Sequence, residues 1–213
     1  MLKINQMELG PVQTNCYIIS NDLEECLIFD PGEESKRVAD FLKKKKLKPL
    51  AILLTHAHFD HIGAIDDLRD QFGIPVYLHR LERDWLGCPN LNGSGKYPAL
   101  PDYRMREADI LLDQEKSLQI SSFEMELFHT PGHSPGSMTF SFGAEGFAIV
   151  GDTLFRGSIG RTDLIDGSEA KLLRSIKESL LTMPDHMILY PGHGPETTPS
   201  QEKKFNPFLQ SFN

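Results

Sequence analysis

Short apolar runs, separated by glycine, proline and charged residues, recur along the whole chain. A run of about four to eight apolar residues between turn residues is typical of a strand, whereas apolar residues spaced three and four apart are typical of an amphipathic helix. These patterns predict alternating strands and helices in the first half of the chain and mostly strands in the second. The predicted strands cover residues 2–9, 15–20, 26–30, 50–54, 74–79 and 187–190, and parts of 107–112, 117–120, 122–129, 137–142 and 146–150.

Helical spacing is clearest between Ile62 and Phe72, where Ile65 and Leu68 complete one apolar stripe and Gly73 ends it. Further helices are predicted at 33–47, 81–86 and 168–181. Residues 88–101 are rich in glycine, proline and asparagine and too long for a plain connector, so we expect a lid or a substrate wall there. Because no Gly/Ser-rich or Pro-rich linker interrupts the pattern, we predict a single domain over residues 1–213.

The balance of charge argues against one class of partner. The chain has 213 residues, of which 22 are basic and 30 acidic, giving a formal net charge of −8. A sequence-independent grip on nucleic acid needs a positive surface, so we expect no nucleic-acid partner. No apolar run approaches the ~20 residues that span a bilayer, and the start lacks the pattern of a signal peptide. We therefore expect a cytoplasmic protein with no membrane partner, while its oligomeric state is not predicted by these patterns.

The three cysteines, Cys16, Cys26 and Cys88, do not form a C-x-x-C pair. Neither a disulfide framework nor a thiolate zinc site is indicated by their number and spacing. We expect them to be reduced structural thiols.

A cluster of metal-ligand residue types lies in Thr55–His61, directly behind the predicted strand 50–54. Imidazole and carboxylate ligands suit Zn, Fe or Mn, whereas Mg and Ca prefer oxygen atoms alone. In extended chain, residues two apart point the same way, so His56 and His58 can share one ion.

Asp60 and His61 then point elsewhere, and we consider two roles for the aspartate. It is a ligand of a second ion together with His61, or it caps a helix that begins near Ile62, since Asp is a favoured N-cap residue. A cap would explain none of the three histidines.

Three more candidate ligands follow predicted strands and are flanked by glycine. They are His133, Asp152 and His193. Glycine allows the backbone to turn sharply and to approach an ion closely, so we expect these strand ends and the stretch Thr55–His61 to meet at one cleft. The remaining histidines, His79, His129 and His186, are better explained as surface or hydrogen-bonded residues, although His129 is the one best placed to support a ligand.

The motifs together resemble the metallo-β-lactamase fold superfamily. They are Thr55–His61, Thr130-Pro131-Gly132-His133, Gly151-Asp152-Thr153 and Pro191-Gly192-His193-Gly194, with Asp30-Pro31-Gly32 before them. The chain looks most like the short bacterial branch related to glyoxalase II, the hydroxyacylglutathione hydrolases. The resemblance implies a four-layered αβ/βα sandwich, in which two mixed β-sheets face each other and helices lie outside.

The resemblance also implies a ligand set for two divalent ions, with Zn expected before Fe or Mn. One ion would be held by His56, His58 and His133, the other by Asp60, His61 and His193, and Asp152 would bridge them. Asp60 would also be catalytic. Asp30 would orient a ligand histidine, or would be no more than the turn residue before Pro31-Gly32.

The implied activity is hydrolysis of a small-molecule thioester, an S-(2-hydroxyacyl) thiol such as S-lactoylglutathione. Arg161 is a candidate to bind a substrate carboxylate, unless it forms a salt bridge with Asp163 or Asp166. β-Lactam hydrolysis is not expected, because true metallo-β-lactamases bind their second ion without an aspartate at the position of Asp152.

One rival belongs to a different reaction class. The segment Gly160–Asp163 also resembles persulfide dioxygenases of the same fold, which use a single iron bound by two histidines and an aspartate. His56, His133 and Asp152 would be the ligands in that case. Asp60, His61 and His193 would then have no ligand role.

Overall fold

The computed structural model describes residues 1–114 and 116–212. Within these residues the chain divides into two compact units, one over residues 1–113 and the other from residue 114 onward. Each unit is built around one mixed β-sheet, so the expectation of two mixed sheets with accompanying helices is confirmed. The single domain over residues 1–213 stays a prediction.

The first unit contains a six-stranded sheet in simple sequence order, β1-β2-β3-β4-β5-β6. The first three strands are antiparallel, and β3 to β6 run parallel. Strands β2 and β3 are almost entirely buried, as expected of continuous apolar runs in a covered sheet. The strands are Lys3–Leu9, Thr14–Ser20, Glu25–Phe29, Lys48–Leu53, Val76–His79 and Ile110–Leu112.

Helices of the first unit connect its parallel strands. Their bounds are α1 Ser35–Lys45, α2 Phe59–Ile62, α3 Ile65–Phe72 and α4 Pro89–Asn92, with 3₁₀ turns at Arg80–Glu82 and Ser94–Lys96. The predicted helix 62–72 is therefore wrong in its start, and the predicted helix 81–86 is only a 3₁₀ turn followed by further turns.

The predicted start at Ile62 is wrong because two short helices, starting at Phe59 and Ile65, follow each other with a break at Gly63. A Cβ atom on Gly63 would lie 2.3 Å from the carbonyl oxygen of Gly32 and 2.6 Å from the ring of Tyr103. The close approach of these backbones, which only glycine permits, places the helix α2 against the end of β3. The helix propensities of residues 59–72 do not reveal this contact between segments distant in sequence.

The second unit contains a five-stranded sheet in the order β13-β10-β9-β8-β7. Only β10 and β13 run parallel, and the other neighbours are antiparallel. The strands are Ser117–Ile120, Phe123–His129, Met138–Phe142, Phe147–Gly151 and Ile188–Pro191, and a small hairpin, β11 Leu154–Phe155 with β12 Ser158–Ile159, was not predicted.

Two helices cover part of this sheet. Helix α5, Glu169–Ser175, begins at Ser168, whose hydroxyl accepts from the Lys171 amide, and it continues as a π-helical turn over Ile176–Leu180. Its apolar stripe packs with β10 and β13 in one buried cluster. Helix α6, Pro199–Phe205, and a 3₁₀ turn at Pro207–Phe212 follow β13. None of the helices in the described residues is both long and apolar enough to cross a bilayer.

Candidate metal centre

The first group of candidate ligands, the amino-terminal cluster, consists of His56, His58, Asp60 and His61. Strand β4 ends at Leu53, and the chain then runs into helix α2, which begins at Phe59. The three imidazoles are almost completely buried. The His56 ring centroid lies 4.8 Å from that of His58 and 4.1 Å from that of His61. Three polar rings packed this closely, away from solvent, are typical of a metal site.

Asp60 lies inside the first turn of α2, and His58 occupies the N-cap position without a capping hydrogen bond from its side chain. The alternative in which Asp60 is an N-cap residue is therefore wrong. The carboxylate Oδ2 of Asp60 accepts a hydrogen bond from the hydroxyl of Thr14 at 3.0 Å and lies 3.5 Å from Nε2 of His61.

That last separation has a specific meaning. It is long for a hydrogen bond, which is about 2.7–3.2 Å. Two ligand atoms about 2.1 Å from one ion, at the tetrahedral angle, are about 3.4 Å apart. The separation of Asp60 and His61 is therefore compatible with two ligands of one metal.

Asp30, at the end of β3, contacts both ends of the histidine stretch. Its carboxylate accepts from the backbone amide of Thr55 at 2.7 Å and from the Thr55 hydroxyl at 2.6 Å. Its Oδ2 also lies 3.1 Å from Nδ1 of His61. Asp30 has a left-handed backbone (φ 47°), so it is a turn residue as well, and Asp is among the residue types that tolerate this conformation.

These contacts decide which ring nitrogens carry protons. The Thr55 hydroxyl has one proton and gives it to Asp30, so it accepts from Nδ1 of His56, which lies 3.0 Å away. Asp30 likewise favours a proton on Nδ1 of His61. In both rings Nε2 then presents its lone pair, the form in which neutral imidazole binds a metal.

The second group, the carboxyl-terminal cluster, consists of His133, Asp152 and His193. They follow β8, β10 and β13, respectively. Strands β8 and β10 run in the same direction because both are antiparallel to β9, and β13 is parallel to β10. All three strands therefore end at one edge of the sheet, which brings together side chains that are far apart in sequence.

Asp152 lies between the two histidines of this cluster. Its Oδ2 is 3.5 Å from Nε2 of His133 and 3.6 Å from Nε2 of His193. Both separations again match those of ligands sharing an ion rather than hydrogen bonds. His133 is buried, whereas His193 is 30% exposed, so its side of the cluster opens to solvent.

The ring of His133 is oriented by backbone. Its Nδ1 lies 2.9 Å from the carbonyl oxygen of Arg161, which only accepts, so Nδ1 carries the proton and Nε2 faces Asp152. The residue before Arg161 must be glycine for the chain to pass this close to Asp152, because a Cβ atom on Gly160 would lie 1.9 Å from the Asp152 carbonyl oxygen. The side chain of Arg161 forms a two-fold ion pair with Asp163, at 2.8 and 2.7 Å, and both side chains are exposed.

The other three histidines lie outside both clusters. His79 is buried and accepts from the Leu81 amide, and the exposed His129 is 2.8 Å from the Pro135 carbonyl oxygen. His186 is exposed. Thr14, whose hydroxyl donates to Asp60, was not predicted from the sequence, because a threonine that begins a strand carries no local signal of burial at a metal site.

The segment 88–101 is not a structureless loop. It contains α4 and a 3₁₀ turn, and the side chain of the buried Asn92 donates to the carbonyl oxygens of Trp85 and Tyr103. The rings of Tyr97 and Tyr103 each lie 5.7 Å from the ring of Phe59, the residue before Asp60. Burial, and then the hydrogen bond to Glu33, raise the pKa of Tyr103, which keeps its phenol neutral.

The donors of both clusters, imidazole nitrogen and carboxylate oxygen, fit a divalent transition metal, and the distances just described fit as well. Mixed sheets whose strand ends present such ligands are what we expect of a metal-binding α/β protein. A family model described as the Metallo-beta-lactamase superfamily matches residues 9–193. The chain therefore belongs to the metallo-beta-lactamase superfamily.

Similar proteins narrow the class to metallo-hydrolases. The chain is 48% identical over 212 residues to "Probable metallo-hydrolase YqgX" of Bacillus subtilis (strain 168), with 100% of both chains covered. It is 37% identical over 209 residues to "Hydroxyacylglutathione hydrolase GloC" of Haemophilus influenzae (strain ATCC 51907 / DSM 11121 / KW20 / Rd), with 96% of this chain and 98% of that one covered. The expected fold family and a metal-dependent hydrolase are confirmed.

Two solved structures extend this comparison. The crystal structure of BLEG-1 B3 metallo-beta-lactamase matches with a TM-score of 0.94 and 52% identity, covering 98% of this chain and 99% of that one. The crystal structure of TTHA1623 in a di-iron-bound form matches with a TM-score of 0.84 and 36% identity, covering 96% and 100%. Similar proteins thus include one that binds two metal ions.

Proposed function

We propose that the protein is a binuclear metal-dependent thioesterase of the glyoxalase II type, which hydrolyses S-(2-hydroxyacyl) thiols. The observation that carries the proposal is the ligand spacing in both clusters, above all Asp152 at 3.5 and 3.6 Å from two histidines. The 37% sequence identity to the hydroxyacylglutathione hydrolase of Haemophilus influenzae supports the proposed substrate class.

In this proposal the two clusters act together. His56, His58 and His133 would hold one ion, while Asp60, His61 and His193 would hold the other. Asp152 would be a ligand of both, and zinc is the metal we propose. The di-iron form of a similar protein shows that iron also suits a site of this family, so the identity of the metal is itself part of the test.

Bound at these residues, two ions would supply a hydroxide nucleophile at neutral pH and would polarise the carbonyl oxygen of a bound thioester. The chain's own residues hold and orient that chemistry. Asp30, with Oδ2 3.1 Å from Nδ1 of His61, favours a proton on that nitrogen, and the Thr55 hydroxyl accepts a hydrogen bond from Nδ1 of His56. The Thr14 hydroxyl fixes the carboxylate of Asp60, which is the residue we propose to be catalytic as well as a ligand.

A thioester suits such a site because of its leaving group. A thiol has a pKa of about 8.5, so a thiolate can leave without protonation by a general acid. An amide nitrogen must be protonated by a general acid as it leaves. Arg161, proposed to bind a substrate carboxylate, would have to exchange Asp163 for the substrate.

A second candidate is β-lactam hydrolysis, which we did not expect from the sequence. It is favoured by one observation, the 52% identity to the protein whose structure is described as BLEG-1 B3 metallo-beta-lactamase. The two activities share the nucleophile and differ in the bond cleaved, so one preparation can be assayed for both.

The test is a substrate panel with the purified, metal-loaded protein. The panel compares kcat/KM for four substrates. They are S-lactoylglutathione, the same acyl group on another thiol, a chromogenic cephalosporin, and glutathione persulfide with dissolved oxygen. We expect thioester hydrolysis to exceed the other activities. His133→Ala should abolish it, and His186→Ala, at an exposed histidine outside both clusters, serves as the matched control and should not.

Hydrolysis of the cephalosporin with no action on thioesters would replace the proposal by the second candidate. Thiol-dependent oxygen consumption by a protein that hydrolyses neither would replace it by the iron dioxygenase.

A further inference from the structure

One fully buried carboxylate lies beside the metal-ligand stretch without belonging to it. Glu82 follows β5 in the 3₁₀ turn Arg80–Glu82 and is 0% exposed, whereas its neighbours Arg80 and Arg83 are exposed. Removing a carboxylate from water is costly unless hydrogen bonds or opposite charge compensate. The position of Glu82 therefore calls for a physical reason.

The reason lies in the backbone between two ligands. Oε2 of Glu82 accepts a hydrogen bond from the amide of Ala57 at 2.6 Å. This hydrogen bond supplies the kind of partner that a buried carboxylate requires. Ala57 is the residue between His56 and His58, so the orientation of its peptide determines where both imidazoles point.

Glu82 is itself held in place. The side chain of His79, at the N-cap of the 3₁₀ turn, accepts from the Leu81 amide, and the carbonyl oxygen of Glu82 accepts from the Trp85 amide at 2.9 Å. The ring of Trp85 lies 5.5 Å from the ring of His58. The segment after β5 thus contacts the histidine stretch twice, once at a peptide and once at a ligand ring.

We infer that Glu82 is a positioning residue for the metal centre, which fixes the Ala57 peptide and through it His56 and His58. Asp30 fixes the two ends of the stretch, at Thr55 and His61, and Glu82 fixes its middle. This inference rests on the proposed metal-binding function. It assigns a role to a residue that binds neither metal nor substrate.

Three variants separate reach, charge and general stability. Glu82→Asp keeps the charge but is shorter by one C–C bond, so it cannot reach the Ala57 amide. Glu82→Gln keeps the reach and an acceptor oxygen but loses the charge. Leu42→Ala, in the buried stripe of α1, removes a fully buried side chain of the same unit and serves as the stability-matched control.

The measurement is metal affinity by competition with a chromophoric chelator, together with the visible absorption of the cobalt-loaded protein. Loss of a residue that orients ligands typically costs about 10–100-fold in metal affinity, and this is what we expect for Glu82→Asp, with an altered cobalt spectrum. Glu82→Gln should stay within about fivefold of the wild type, because a neutral acceptor is only modestly weaker. Leu42→Ala should leave both affinity and spectrum unchanged.

Wild-type affinity and an unchanged cobalt spectrum in folded Glu82→Asp would overturn the inference, and so would an equal loss in Leu42→Ala. If Glu82→Asp does not fold, the inference is tested by amide hydrogen exchange at Ala57 in the wild-type protein. We expect slow exchange at Ala57 without metal, and exchange as fast as at an exposed loop would overturn the inference. A wild-type protein that binds no metal, with a protected Ala57 amide, would instead refute the proposed function.

Discussion

The amino-terminal and carboxyl-terminal clusters contain the same kinds of ligand but are constructed differently. Four candidate ligands of the first lie between His56 and His61, on one loop and one helical turn. The three of the second lie between His133 and His193, at the ends of three strands. The first cluster depends on local backbone conformation, and the second depends on the pairing of a whole sheet.

The two clusters are also held in place by different kinds of contact. Two buried carboxylates, Asp30 and Glu82, hold the backbone of the first cluster. In the second, a backbone carbonyl at Arg161 orients His133, and the parallel pairing of β10 with β13 shifts register between Ile149 and Gly151, just before Asp152. A contiguous cluster is thus sensitive to loss of a charged support, whereas a dispersed one is sensitive to changes in packing.

The largest effect is expected from Asp152→Ala, which removes the residue proposed to join the clusters. Loss of metal-derived charge stabilisation, about 4 kcal/mol, corresponds to a roughly thousandfold fall in kcat/KM. Metal content should fall with activity, measured by elemental analysis after gel filtration. A variant that keeps two ions per chain would show that Asp152 is not the bridge.

Asp30→Asn should come next, through the amino-terminal cluster alone. The amide can still accept from the Thr55 amide, but its nitrogen cannot accept the Thr55 hydroxyl, so the proton arrangement at His56 is lost. We expect metal affinity to fall about 10–100-fold.

The matched control for that variant is Asp166→Asn. It makes the same substitution at an exposed residue that also has a left-handed backbone (φ 56°), and it should have no effect on metal affinity. Equal effects of the two substitutions would attribute the loss to backbone strain rather than to the support of His56.

Gly160→Ala tests the packing of the carboxyl-terminal cluster. The added methyl group would lie 1.9 Å from the Asp152 carbonyl oxygen and 3.1 Å from Cβ of His133, so the backbone must move. Overpacking of this kind costs about 1–3 kcal/mol, or about 2–4 °C in Tm for each kcal/mol.

Thermal denaturation of the metal-free protein measures the cost for Gly160→Ala. Gly143→Ala, where the nearest atom is 4.0 Å away, is the control and should melt like the wild type. If both variants melt at the wild-type temperature, the close approach of Gly160 to Asp152 is not a constraint.

Arg161→Ala should have the smallest effect. The pair with Asp163 is exposed on both sides, so its loss should change stability by less than about 1 kcal/mol. If Arg161 binds a substrate carboxylate, KM should rise with kcat unchanged. A lower kcat at constant KM would show a role in the reaction itself, and Asp163→Ala, which frees the guanidinium, should lower KM.

Most strands were predictable from sequence because apolar runs between turn residues depend on local pattern. Helix α2 was misplaced because its end is set by the contact of Gly63 with Gly32, which belong to different segments. The hairpin β11–β12 was missed because two-residue strands contain no pattern to detect.

The candidate ligands were predictable for a different reason. His-x-His-x-Asp-His is improbable without a metal, and glycine-flanked His133, Asp152 and His193 follow strands whose ends meet in the sheet. Their supports were not predictable, because the burial of Glu82 and the contact of Thr14 with Asp60 arise only when distant segments fold together.

Metal stoichiometry of the purified wild-type protein tests the joining of the two clusters most directly. Elemental analysis against protein concentration, combined with the activity of the same sample, gives the number of ions per active chain. We predict about two divalent ions per chain, with thioester hydrolysis that is lost when both are removed and restored when both are returned. A single iron per chain, with thiol-dependent oxygen consumption and no hydrolysis, would contradict the account.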